Sequence, residues 1–157
     1  MMVQFNVIPA TPDHLKFIAD NMRKADVDEL MAMSGRTPQQ AIEISLRNSD
    51  WCFVGLANDV PMCAFGVGTV NLLYRVGVPW LLGTNAIETH YRAFARGSVM
   101  WRDYMKARYD LLVNAVDARN TLSRRWLTWL GFTLSEAVPM GVSKLPFYPF
   151  ELRSGHV

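Results

Sequence analysis

At 157 residues, half of them apolar, the chain is long enough for one domain with a substantial core and too short for two ordinary ones. Its formal charge of +2 and pI near 8.7 are too mild to indicate nucleic acid, and no apolar run approaches the length needed to cross a bilayer. Met1 to Phe5 lacks the basic head and apolar body of a signal peptide, so the expected compartment is cytosol or an assembled particle.

Phe5 to Ile8 reads as a first strand closed by Pro9. Thr11-Pro12-Asp13 opens a helix, with Thr as N-cap, Pro at the first helical position and an acid at the positive end of the dipole. Leu15, Ile18, Ala19 and Met22 form its apolar stripe. A second helix is predicted over Asp26 to Met33 with Val27, Leu30 and Met31 inward, stopped by Ser34-Gly35. Thr37-Pro38 repeats the opening signal for a third, carrying Ala41, Ile42, Ile44 and Leu46.

Trp51 to Ala57 and Val60 to Val70 read as an antiparallel pair turned at Asn58-Asp59, with Gly66 and Gly68 marking a bulge or twist. That turn sets Cys63 opposite Val54 and Cys52 diagonal to it, about 7–8 Å away where a disulfide needs roughly 4 Å, so both are expected as buried free thiols. No Cys/His cluster has metal-ligand spacing, and no metal site is expected. Val76 to Leu82 is a further strand, irregular at Pro79. Thr84 or Asn85 then caps one long helix reaching about Tyr109, with Ile87, Tyr91, Phe94, Ser98, Trp101 and Met105 on its inner face.

Leu111 to Val116 is a short apolar strand, followed by Asn120 and a helix whose Leu122, Trp126, Trp129 and Leu130 share a face, stopped by Gly131-Phe132. Phe132 to Leu134 and Leu145 to Leu152 are last strands, the latter placed at an edge by Pro146 and Pro149. The stretch V-D-A-R-N-T-L-S-R-R-W-L-T-W-L-G-F resembles the last motif of the GCN5-related N-acetyltransferase (GNAT) superfamily, and the element order matches that fold over almost the whole chain. The resemblance implies an α/β (α+β) single domain over residues 1–157, with a central mixed, mostly antiparallel twisted sheet of six or seven strands flanked by four or five helices.

In GNAT enzymes a Q/R-x-x-G-x-G/A loop after the fourth strand holds the pyrophosphate of acetyl-CoA on backbone N–H groups at a helix start. The matching region here, Trp80 to Glu88, has one glycine and does not fit the motif. A Tyr that acts as general acid in many members is replaced by Leu127, which has no proton to give. If the chain is active, acetyl-CoA is the implied cofactor. Leu82, Gly83, Thr84, Asn85 and Asn120 would then contact it, and Glu88 and Asn120 are the catalytic candidates. Asn120 is equally suited to capping its own helix.

The bland readings are that Arg92, Arg96 and Lys106 form a solvated stripe, and that the five tryptophans are core. His14, His90 and His156 have no partner at a metal or triad spacing, and no nucleophile elbow surrounds Ser98 or Ser123. More narrowly, P-W-L-L-G-T-N, R-A-F-A-R-G-S, the motif above and the closing L-P-F-Y-P-F resemble a GNAT-like family of small internal virion proteins in short-tailed bacteriophages. That implies a virion component or an assembly or host-interaction factor without efficient acetyl transfer, located in the virion or host cytoplasm. The implied partners are virion or host proteins or further copies of the chain, with no membrane span and nucleic acid the least favoured ligand. An active N-acetyltransferase with an atypical cofactor loop is the alternative.

Overall fold

Two of the three helices near the N-terminus start where the sequence supplies a side-chain acceptor for their orphan amides. Thr11 Oγ1 accepts from His14 N ahead of α1 (Pro12–Asp20), and Thr37 closes a full capping box with Gln40 ahead of α3 (Pro38–Asn48). Between them, α2 (Lys24–Ser34) has no side-chain cap and ends on Gly35 in the left-handed conformation. The computed structural model describes residues 2–155; His156 lies outside them. No helix among the described residues is long and apolar enough to cross a membrane.

The remaining elements are β1 (Phe5–Pro9), β2 (Trp51–Ala57), β3 (Val60–Asn71), β4 (Val76–Gly83), the single turn α4 (Ala86–Thr89), α5 (Tyr91–Lys106), β5 (Leu111–Asp117), α6 (Thr121–Leu130), β6 (Thr133–Leu134), β7 (Val138–Met140) and β8 (Leu145–Arg153). They make an eight-stranded mixed sheet in the order β1-β2-β3-β4-β5-β8-β6, with β7 also on β8. Only β4 and β5 run parallel. One face carries α1 and α3 on Val54, Leu56, Ala64 and Leu82; the other carries α5 and α6, with Phe94, Met105, Trp126 and Leu130 against Phe65 and Leu112.

The structure corrects several expectations. The predicted long helix breaks at His90 into α4 and α5. β8 is no edge strand: β5 pairs along one side of it and β6 and β7 along the other, so its prolines sit at points where the ladder needs no N–H from them. Met31, Leu46 and Trp129 face solvent at 52%, 38% and 54% exposure, and Leu127 takes the inward place beside Trp126. The Asn58-Asp59 turn forms, with positive φ at both residues, but a register shift between Gly55 and Leu56 places Cys63 opposite Gly55 and Cys52 opposite Gly66. Both thiols are free; Cys63 is buried and Cys52 only half-buried. Burial pushes the Cys63 thiol up to about 12 and the Cys52 thiol up to about 11.

Gly66 and Gly68 mark close approach rather than a bulge. A Cβ on Gly66 would stand 2.4 Å from the Trp51 carbonyl oxygen and 2.9 Å from the Trp80 ring, and one on Gly68 would stand 2.6 Å from the Asn48 carbonyl oxygen. Backbone at that distance cannot swing aside as a flexible side chain does. Gly66→Ala is therefore expected to lower stability by about 1–3 kcal/mol, read as a lower urea midpoint with an unchanged m-value.

Candidate functional site: a gap in the sheet closed by an ion pair

β4 and β5 share register only at Val76↔Leu111 and Gly77↔Leu112. Two residues further on, Pro79 has no N–H to offer, and its carbonyl is taken by Asn114 Nδ2 at 2.7 Å. Beyond it the strands part. The gap opens into a cavity of about 200 Å³ that reaches both faces of the sheet, bordered by Glu29 and Met33 of α2 on one and by Trp101, Trp126 and Leu127 on the other.

The end of this gap, between the last residue of β4 and the first turn of α6, is crossed by the start of α2. Met22 bridges to Thr84, and Arg23 N donates to the Gly83 carbonyl at 2.8 Å. The Arg23 side chain is 2% exposed. Its Nη1 donates to Glu88 Oε1 at 3.2 Å, and its Nη2 donates to Asn120 Oδ1 and to Ser123 Oγ at 3.2 Å. Nε lies 3.1 Å from Asp26 Oδ1, close enough for charge pairing but off the hydrogen-bond axis. Asp26 Oδ2 accepts from Gly83 N at 2.8 Å, and its Oδ1 accepts from Asn120 Nδ2 at 3.3 Å.

Burial outweighs these partners and raises the Asp26 carboxyl above the usual range, against the charge of Arg23 and the bonds from Gly83 and Asn120. One turn on, Glu29 is half-buried and accepts from Asp117 N at 2.6 Å. Burial, helped by the charges of Asp26 and Asp117, pushes it up to about 7. Asp117 is 1% exposed and would also be raised by burial, but the hydrogen bonds and charge of Arg119 hold it below the usual value.

The sequence-predicted residues fall around this mouth. Leu82 is buried, and Gly83 and Thr84 spend their amides on Asp26 and on the Met62 carbonyl. Ala86 N donates to Thr84 Oγ1, while Ile87, Glu88, Thr89 and His90 bond back to Thr84, Asn85 and Ala86 carbonyls within the α4 turn. Asn120 caps α6 through Ser123 N at 3.4 Å and is otherwise engaged with Arg23 and Asp26. Glu88 keeps a half-exposed carboxylate beside Arg23. Leu127 is buried on the cavity wall. Arg92, Arg96 and Arg125 flank a separate groove between α5 and α6, next to the exposed Trp129. His14 Nδ1 sits 2.7 Å from the Thr11 cap, Ser98 Oγ accepts from Trp126 Nε1 at 2.9 Å, and no cluster of metal-ligating side chains occurs among the described residues.

Sequence reasoning missed Arg23, Asp26 and Glu29. Their signal was the spacing R-x-x-D-x-x-E, which puts consecutive charges within one face of a helix whose neighbouring Leu30 already pointed inward.

No protein-family model and no curated protein matches the chain. Solved structures do. Spermidine N-acetyltransferase from Vibrio cholerae, in complex with CoA and spermine, superposes with a TM-score of 0.69 at 13% identity, covering 96% of this chain and 96% of that one. Ribosomal-protein-S5-alanine acetyltransferase from Vibrio fischeri gives 0.67 at 15% identity, over 96% and 93%. An acetyltransferase of the GNAT family from Streptococcus pneumoniae gives 0.66 at 8% identity, over 97% and 100%. Strand order, the parted parallel pair and these superpositions agree that the chain has the GCN5-related N-acetyltransferase fold.

Proposed function

We propose that this is a GNAT-fold protein that works by binding rather than by efficient acetyl transfer, as a virion component or an assembly or host-interaction factor of a short-tailed phage. One observation carries the loss of transfer. The amides of Thr84 and of Ala86 to His90 are already bonded within the protein, and the carboxylate of Asp26 occupies Gly83 N, so an incoming pyrophosphate meets few free donors directly after β4. The half-exposed Glu88 carboxylate in the α4 turn adds repulsion. The phage assignment rests on the sequence resemblance.

Calorimetric titration with coenzyme A and with acetyl-CoA tests the first part. The expected result is no saturable heat and no rise in melting temperature at millimolar ligand, since a native-state ligand at a hundred-fold excess over Kd would add about 2.7 kcal/mol. Micromolar binding together with acetylation of an amine would sink the reading. Mass spectrometry of purified particles tests the second part: the chain is expected at a fixed copy number per virion, and its absence there would remove the virion role.

The alternative, an active N-acetyltransferase with an atypical cofactor site, is favoured by the groove of Arg92, Arg96 and Arg125 near the start of α5, whose first amides have no intrahelical partner. Under that reading Arg125→Glu abolishes coenzyme A binding.

A further inference from the structure

The turn between β3 and β4 lies at the opposite end of β4 from Gly83 and the mouth of the gap. Its sequence, Val70-Asn71-Leu72-Leu73-Tyr74-Arg75, puts four large apolar side chains in solvent: Leu72 is 85% exposed, Leu73 82%, Tyr74 69% and Val70 63%. No other stretch among the described residues exposes three such side chains in succession. Single exposed leucines are ordinary; a contiguous projecting group of them is not. The turn is also fastened. Asn71 Oδ1 accepts from Tyr74 N at 2.9 Å, and Arg75, at positive φ, donates from Nε and Nη2 to the Arg108 and Ala107 carbonyls at 3.1 and 3.2 Å. Asp110 N donates to the Arg75 carbonyl at 2.8 Å. A fixed backbone thus holds the leucines out, and little ordering remains to oppose their burial elsewhere.

We infer that this turn is a peripheral anchor for a phospholipid bilayer, with Leu72 and Leu73 entering the acyl boundary, Tyr74 at the interface and Arg75 at the level of the phosphates. Along the projection the side chains run apolar, aromatic, cationic, which is the order in which a bilayer changes from core to surface. Area decides against a folded protein partner: four side chains on a convex tip fall far short of the roughly 20–30 residues a side that a stable protein interface uses. A bilayer needs no matching shape. Behind the tip stand Lys106, Arg108 and Arg153 together with three acids. Asp110 lies 3.7 Å from Arg75, Glu151 lies 3.6 Å from Arg153, and Asp50 accepts from the Tyr109 hydroxyl at 3.0 Å. One turn further back on α5, Arg102 and Asp103 offset each other. The positive excess at this end is therefore small, so apolar insertion carries the binding and anionic lipid adds a lesser share. The anchor spans nothing, and it needs neither coenzyme A nor acetyl transfer.

Co-sedimentation of the full chain with vesicles of phosphatidylcholine and phosphatidylglycerol tests the anchor. The chain is expected to pellet with them, and Leu72→Ser/Leu73→Ser to weaken that partition by about tenfold or more. Both leucines stand in solvent, so the double variant should keep the melting temperature of the parent, and its loss of binding is not a loss of fold. Raising the salt to roughly 0.5 M should leave most of the binding in place, since it shortens the Debye length without touching apolar contact. In Leu73→Trp, emission should move to the blue on vesicles and be quenched by lipids brominated in the acyl chain, by more than in the parent with its five tryptophans. No pelleting of the parent, equal pelleting of the folded double variant, or loss of binding at high salt would each overturn the anchor. So would self-association of the parent that ignores vesicles and disappears in the double variant, which would make the tip a protein contact. Coenzyme A binding in the separate titration would overturn the proposed loss of transfer and leave the anchor standing.

Discussion

Arg23→Met is expected to lower the unfolding free energy by about 3–5 kcal/mol at neutral pH, because it strips the counter-charge from a carboxylate that the fold keeps 2% exposed. Glu88 loses little, since its side chain is half in solvent. The stranded group is Asp26. For a chain of this length the loss corresponds to a drop in melting temperature on the order of 10 °C. Asp26→Asn alone should also destabilise, leaving Arg23 buried against a neutral amide. The double variant Arg23→Met/Asp26→Asn is expected to recover much of the loss, since removing both charges also removes the desolvation that each required. Additive losses in the double variant, seen by urea unfolding of all three proteins, would mean that the two residues do not act as a pair. The same double variant opens the mouth of the gap. A gain of coenzyme A affinity in it would identify the ion pair as the barrier to the cofactor.

The second large effect is a pH dependence. Glu29 rises from an ordinary value of 4.5 to about 7 in the folded protein, so the native state holds this proton more tightly than the unfolded chain does. Its contribution to stability is full below pH 4.5 and is lost as pH climbs through 7. The loss amounts to at most about 3 kcal/mol, at about 1.4 kcal/mol for each tenfold difference in proton affinity between the folded and unfolded chain. Glu29→Gln does not titrate. The variant should therefore gain on the parent between pH 5 and pH 8 by up to that amount, measured as the difference in unfolding free energy at the two pH values. Parallel pH profiles for parent and variant would show that Glu29 titrates as an ordinary surface acid.

The order of elements was legible because each rests on local chemistry. Thr11 and Thr37 supply caps, Asn58-Asp59 accepts positive φ, and Gly131 accepts the left-handed turn that ends α6. What escaped the sequence depends on contacts between distant segments. Whether Trp129 or Leu127 faces inward is decided by how α6 rotates against α5, and both choices satisfy an amphipathic pattern. Pro146 and Pro149 read as edge markers, yet β8 runs inside the sheet with both prolines placed where no ladder bond is missed. The mouth of the gap joins Arg23 to Asn120 across 97 residues, a pairing that no local pattern encodes. A helix carrying three charges among inward-facing positions was the one available hint.

The place of β8 bears on how the molecule assembles. β2, β3 and β4 pair with their neighbours in sequence and can zip outward from two hairpins on a microsecond scale. β5 must wait for a strand that arrives only after α6, β6 and β7, its first residue Leu111 meeting Arg153. Until then β5 offers a bare apolar edge, and Phe147 and Phe150 travel on a strand whose β5 side is open. The half of the sheet next to the gap is therefore its slow-closing half, and the interval before closure is when a chaperone or another chain finds an open strand to join.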